Sequence, residues 1–304
     1  MDIRAVIMGL AFALMWSSAF TSARIIVAAA PPLTALGFRF FISGLIGVTI
    51  ALALGQTWRL TRAQWRATIV FGICQNALYL GLNFVAMQTI EASLAAIIAS
   101  TVPLLVGLLS WAFLGERLGK VGIFGLFAGL TGVVIIMGAR FQGGMDLYGV
   151  GLCAIAVFAL AFATLSVRGA ASGGNFMMVV GLQMIVGSVL VGIVGLATEP
   201  FVVEWSLRLL LAFLYTTLIP GLAATLVWFL LVERIGATRA ATFHFLNPFF
   251  GVAIAAMLLN EALRLGDLIG VLVIMGGILA VQLSRQKRLP QMQIGGQPPS
   301  PRDI

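Results

Sequence analysis

Residues 90–132 read IEASLAAIIASTVPLLVGLLSWAFLGERLGKVGIFGLFAGLTG, and residues 235–277 read IGATRAATFHFLNPFFGVAIAAMLLNEALRLGDLIGVLVIMGG. The two stretches belong to a longer match of 89–137 with 234–282, ungapped at a constant offset of 145. Ile90, Ala92, Ala95, Ala96, Pro103, Glu116, Leu118, Gly125 and Gly132 meet Ile235, Ala237, Ala240, Ala241, Pro248, Glu261, Leu263, Gly270 and Gly277. Repetition on this scale makes the chain two similar halves, and the parity of the spans in each half decides their relative orientation.

The surroundings of the repeat are those of a membrane. The chain is 61% hydrophobic and 9% charged, with mean hydropathy +1.10, whereas a soluble domain carries about 25% charged residues. So few charges cannot cover a water-facing surface. The net charge of +8 comes from Arg and Lys in short loops between apolar runs, a pattern that orients spans and does not form a nucleic-acid face. Cys74 and Cys153 lie inside apolar runs and make no disulfide framework. The first apolar run lacks a small-residue cleavage site and reads as a retained span.

With about 20 apolar residues needed per crossing, the chain divides into ten expected spans: 5–28, 33–54, 67–88, 92–113, 121–138, 149–167, 176–196, 208–231, 239–259 and 267–283. Pro31-Pro32, Gly143-Gly144, Gly173-Gly174 and Glu199-Pro200 punctuate them. With the N-terminus in the cytoplasm, thirteen Lys and Arg residues fall inside and four outside (Arg24, Arg140, Arg208 and Arg264), the bias of the positive-inside rule. Five spans per half is odd, so the halves are expected to be antiparallel. The expected architecture is an all-α integral membrane protein, a 5+5 inverted repeat around a central cavity. Residues 1–140 form the first half, 141–283 the second, and 284–304 a disordered cytoplasmic tail rich in Pro, Gln and Gly.

The repeated residues carry expectations of their own. Pro103 and Pro248 sit within spans four and nine, where each removes an N–H and crowds the carbonyl four residues back. The freed carbonyls would be those of Ala99 and His244. Matched breaks in an inverted repeat point to hinges beside a midplane site. Glu116 and Glu261 read as caps for the helix that follows each of them. Gly122, Gly125, Gly129 and Gly132, echoed by Gly266, Gly270 and Gly277, read as a close-packing stripe.

The motif Leu114-Gly115-Glu116-Arg117-Leu118 followed by Gly125 and Gly132 resembles the signature of EamA-type proteins of the drug/metabolite transporter superfamily. The second half repeats it as Leu259-Asn260-Glu261-Ala262-Leu263 with Gly270 and Gly277, Asn260 standing where the family has Gly. The resemblance covers about residues 5–283. Within that family Trp16-Ser17-Ser18-Ala19-Phe20 makes the chain look most like YddG-type exporters of amino acids and related metabolites. The resemblance implies a basket of ten helices and export out of the cytoplasm across a bacterial inner membrane.

Polar groups within spans are costly and mark candidate pathways. Asn76, Tyr79 and Asn83 share one helical face at spacings of three and four. Trp16 and Ser17 in span one, Ser100 beside the first kink, and Phe162, Trp228 and His244 complete the candidate substrate contacts, with aromatic faces for stacking. Packing is the alternative role for each. Arg39, the one permanent charge within a span, is read as bracing a gate or snorkelling, with binding of a substrate carboxylate as the less favoured alternative, together with Pro103 and Pro248 as gating elements. No acid sits in mid-span, which argues against the proton-coupled drug antiporters of the same superfamily. One His and no buried carboxylate argue against an intramembrane enzyme, and the sequence calls for no metal or cofactor. The expected function is alternating-access export of hydrophobic or aromatic amino acids by a monomer in the lipid bilayer. The alternatives are export of other amphipathic metabolites or drugs, or a channel-like facilitator.

Overall fold

The computed structural model describes residues 2–113, 119–141, 146–166 and 175–286. Among them it contains helices and no strands. Ten helical segments are long and apolar enough to cross a membrane: α1 (Ile3–Val27), α2 (Pro32–Ala53), α3 (Arg62–Ala86), α4 (Ala92–Phe113), α5 (Lys120–Ala139), α6 (Leu147–Leu165), α7 (Phe176–Thr198), α8 (Leu207–Ile235), α9 (Ala241–Leu259) and α10 (Leu265–Ser284). Large apolar side chains such as Phe124, Phe127 and Leu272 point outward and are exposed. A belt of that kind suits lipid and not water. The protein is therefore a multi-pass membrane protein.

The ten segments match the ten expected spans, with one informative shift. α3 begins at Arg62, five residues before the apolar run. A capping box fixes it there: Gln64 N–H donates to the Thr61 hydroxyl at 3.2 Å, and Thr61 N–H donates to Gln64 Oε1 at 3.0 Å. Hydropathy marks where lipid begins, while the cap marks where the helix begins. The last helical stretch likewise continues to Gln286, three residues past the expected span. Residues 287–304, most of the expected tail, lie outside the described residues.

Contacts between helix ends sort the loops onto two faces. On one face Arg234 pairs with Asp2, holding the Asp2 carboxyl below the usual carboxylate range. Asn175 accepts from Thr57 N–H at 2.9 Å and Ser284 accepts from Gly119 N–H at 3.3 Å on that same face. On the other face Glu199 reaches the start of α2, Thr89 donates to Asp146, and Glu261 reaches the start of α4. Successive segments thus cross in alternating directions.

Two antiparallel pairs form the flanks. In α5–α10, a Cβ on Gly125 would lie 2.8 Å from the Gly277 carbonyl oxygen, and one on Gly132 the same distance from that of Gly270. The 145 offset carries Gly125 onto Gly270 and Gly132 onto Gly277, so the two contacts exchange places under the repeat. Small residues here let backbones approach to distances no side chain would allow. In α2–α7 the close approaches are Gly37 to Gly192 and Gly47 to Gly181, at 3.2 and 3.1 Å from a would-be Cβ.

Carboxylates tie these elements end to end. Glu199 accepts from Leu33 N–H, Thr34 N–H and the Thr34 hydroxyl, all at 2.8 Å. At the start of α7, Met178 N–H donates to Gln56 at 3.0 Å, and Met178 is Leu33 plus the repeat offset. Glu261 does not cap α10, the helix after it. Its two oxygens accept from Ala92 N–H at 2.8 Å and Ser93 N–H at 2.9 Å at the start of α4. The cap on the following helix comes instead from Asp267, which accepts from Arg264 N–H at 3.2 Å. The chain folds back so that the open N–H groups of α4 lie nearer to Glu261, and a carboxylate goes to whichever helix start it can reach. Glu116, its repeat mate, lies outside the described residues.

Two measurements check this packing. Gly277→Val would drive a side chain into the Gly125 oxygen and the Gly129 backbone, both within 2.7 Å of its Cβ. It should cost the upper end of the about 1–3 kcal/mol of overpacking, whereas Gly276→Val, whose Cβ meets nothing within 4 Å, should leave the melting temperature in detergent unchanged. Glu261→Gln should lower the melting temperature by an amount equivalent to about 1–3 kcal/mol, the value of a charge-assisted hydrogen bond.

Candidate functional site

The middle of α3 is not an α-helix. Gly72–Leu80 is π-helical, and the repeat offset carries it onto residues 217–225 of α8, where Ile219–Ala223 is also π-helical. Wide turns of this kind recur at functional sites. In α8 the cause is visible in the sequence. Pro220 has no N–H for the Thr216 carbonyl four residues back.

Arg39 supplies the donor. Its Nε lies 3.2 Å from the Thr216 oxygen, and the Ser43 hydroxyl one turn on donates to the Thr217 carbonyl at 3.3 Å. The guanidinium also sits 5.3 Å from the centroid of the Phe40 ring. The expectation of snorkelling is not met: Arg39 is 5% exposed and turns inward. Arg39 is the eighth residue of α2, and even at the centre of a spanning helix an Arg costs only about 2.5–3.5 kcal/mol on insertion scales. A charged hydrogen bond of about 1.5–3 kcal/mol with a cation–π contact of about 0.5–2 kcal/mol is enough to offset that.

Around this point α1, α2, α3, α7 and α8 enclose a cavity of about 60 Å³. Trp16, Asn76, Tyr79 and Asn83 line it together with Arg39, and Phe20, Phe40 and Met184 supply apolar wall. The amides are held in place. Asn76 Nδ2 donates to the Gln183 carbonyl at 2.8 Å, across a gap kept open by Gly187, whose Cβ would strike Asn76 at 2.4 Å. Asn83 Nδ2 donates to the Tyr79 carbonyl at 2.7 Å, and its oxygen accepts from the Cys153 thiol at 3.3 Å.

Trp16 joins the cavity to a second cluster. His244 packs against Phe12, Trp16 and Trp228 with centroids 5.2, 6.4 and 5.1 Å away. Its Nδ1 meets Asn247 Nδ2 at 2.9 Å. The helix before Pro248 tightens into a 3₁₀ stretch, Ala241–Leu246, so that Asn247 N–H takes the His244 carbonyl that the proline leaves open. In α4 the matching irregularity falls at Ser100–Thr101, before Pro103, where Thr101 N–H bonds Ile98 O at 3.0 Å.

The other candidates lie apart. The Ser17 hydroxyl donates to the Asn247 carbonyl at 3.2 Å, bracing α1 on α9. Ser100 donates to Ala96 O in its own helix at 2.7 Å. Phe162 is 60% exposed on α6, away from the cavity. The sequence reading passed over Phe12 and the Pro220-Gly221 break, although a proline within span eight was a usable signal. A larger recess of about 350 Å³ opens near the helix ends on the face of Glu199 and Glu261, where Arg24, Glu91, Arg208 and Glu261 line it. Among the described residues no group of three or more His, Cys, Asp or Glu could hold a metal ion.

The profile of the EamA-like transporter family matches residues 3–138 and again 147–283. An uncharacterized transporter, YvbV, of Bacillus subtilis is 30% identical over 269 residues, 88% of each chain. The aromatic amino acid exporter YddG of Ancylobacter novellus is 32% identical over 139 residues, 46% of this chain and 48% of that one. A crystal structure at 23% identity superposes with a TM-score of 0.68 over 94% of this chain and 99% of its own, which shows the shared fold.

Replacing Pro220 with Ala tests the break. The restored N–H can close the helix on Thr216 O, so Pro220→Ala should hold or raise the melting temperature and cut transport at least about fivefold by stiffening a moving part. Unchanged transport would show that the break is only packing.

Proposed function

Because the chain belongs to the EamA-like transporter family, we propose that it exports amino acids with hydrophobic or aromatic side chains across a bacterial inner membrane. The observation that carries this reading is the cavity itself, where side chains from both halves of the sequence meet with aromatic faces and fixed amides around one cation. Its walls suit a molecule with an apolar body and a polar end. The aromatic amino acid exporter similar over part of the chain supports the same substrate class.

The mechanism is alternating access by two inverted halves, 1–140 and 141–283. The exchanged glycine contacts of α5–α10 and the two π-helical breaks at one repeat position support that relation. A cavity of about 60 Å³ must widen to admit an amino acid. That requirement favours a carrier over a channel, since a channel needs a continuous water path. Pro103, Pro248 and the Pro220 turn are where the helices bend. Trp16, Asn76, Tyr79 and Asn83 contact substrate, with Trp228 and His244 behind Trp16. The thirteen-to-four bias of basic residues supports cytoplasmic termini.

Purified protein in liposomes should show saturable counterflow of phenylalanine, reduced at least about tenfold by Tyr79→Ala. Flux that rises linearly with concentration, or no movement of any hydrophobic amino acid, contradicts the proposal. Single cysteines at the two termini should both label from the cytoplasmic side, and labelling from opposite sides contradicts the inverted arrangement.

A further inference from the structure

Arg39 is more than the brace for α8. Its Nε serves Thr216 O, and the rest of the guanidinium borders the cavity. Gly221 lies beside it: a Cβ there would stand 3.2 Å from Thr216 O and 3.5 Å from Arg39 Nη2. Among the described residues no acid lines the cavity and no ion pair to Arg39 forms. The site therefore presents one buried positive charge, one planar fork of donors, and walls of aromatic rings and amides.

From this arrangement we infer that Arg39 binds the carboxylate of the transported molecule, and that the α-ammonium group is dispensable for recognition. The inference rests on the reading of the cavity as the substrate site. A guanidinium matches a carboxylate in shape and charge, and a buried cation with no acid beside it favours an anionic guest. An ammonium group finds no such partner here. Its remaining partners are amide and backbone oxygens and ring faces, and the Arg39 guanidinium repels it. The substrate class thus extends from hydrophobic amino acids to organic monocarboxylates with an aromatic or aliphatic tail.

The test is a ligand series on the full-length protein in detergent, read as the rise in melting temperature, with phenylalanine, 3-phenylpropanoate, phenylalaninamide and inorganic phosphate as probes. Both acids should stabilise the wild type. The amide should need at least about tenfold more ligand for the same shift, and phosphate, lacking an apolar tail, should give none. Arg39→Gln should raise the half-saturating concentration of both acids at least about tenfold more than it raises that of the amide. Arg39→Lys, which keeps the charge and loses the fork, should fall between. If Arg39→Gln does not fold, Arg39→Lys and the wild-type series decide.

Equal stabilisation by phenylalanine and its amide, or by phosphate alone, overturns the inference. Saturable phenylalanine counterflow would then still uphold the exporter reading. Binding of 3-phenylpropanoate without phenylalanine would uphold the inference and overturn that reading. A wild type that responds to neither acid contradicts both.

Discussion

A carbonyl in the hydrocarbon region has no water to bond, and the Thr216 carbonyl loses its helical donor because Pro220 carries no N–H. The protein meets this constraint with a side chain from another helix, Arg39 Nε at 3.2 Å. That single bond does three things. It lets α8 stay open at midspan, it holds α2 against α8, and it keeps a cation inside the bundle. The cavity exists because the helix is broken there, and its electrostatic character follows from the residue that mends the break.

The remainder of the bundle keeps this broken centre in place from its ends. Glu199 fastens α2 by three bonds of 2.8 Å, and Glu261 fastens α4 by two. These carboxylates sit near the faces, where they complement helix N-termini at low desolvation cost. Between them the glycine contacts bring α5 to α10 and α2 to α7 without side chains to turn. The glycine-packed pairs are regular, while α3 and α8, which line the cavity, carry π-helical turns and α9 carries a 3₁₀ stretch. Motion between halves is expected where backbone bonds are already non-standard.

Span number, the glycine stripe and the polar face of α3 were all legible in the sequence. Each is a local property: an apolar run, a helical period, a spacing of three and four. What could not be read were choices made in three dimensions. Glu261 had an N-terminus four residues away and capped a distant one, because the fold brought Ala92 nearer. Arg39 stood near a span end and turned inward, because a carbonyl on α8 needed a donor. Phe162 had the chemistry of a site residue and faces outward, since only the bundle decides which side of α6 is inside. His244 carried a prediction of an open carbonyl, and a local tightening of the helix closed it.

The central claim is that the cavity between Trp16, Tyr79 and Arg39 is where the transported molecule sits. An experimental structure of the protein with a bound aromatic amino acid tests it most directly. The account predicts ligand density in that cavity, its carboxylate at the Arg39 guanidinium and its ring against Trp16 or Tyr79, with the cavity wider than about 60 Å³. Density confined to the recess lined by Arg24, Glu91 and Arg208, with the midplane cavity empty and Arg39 still bonded only to Thr216, would contradict it.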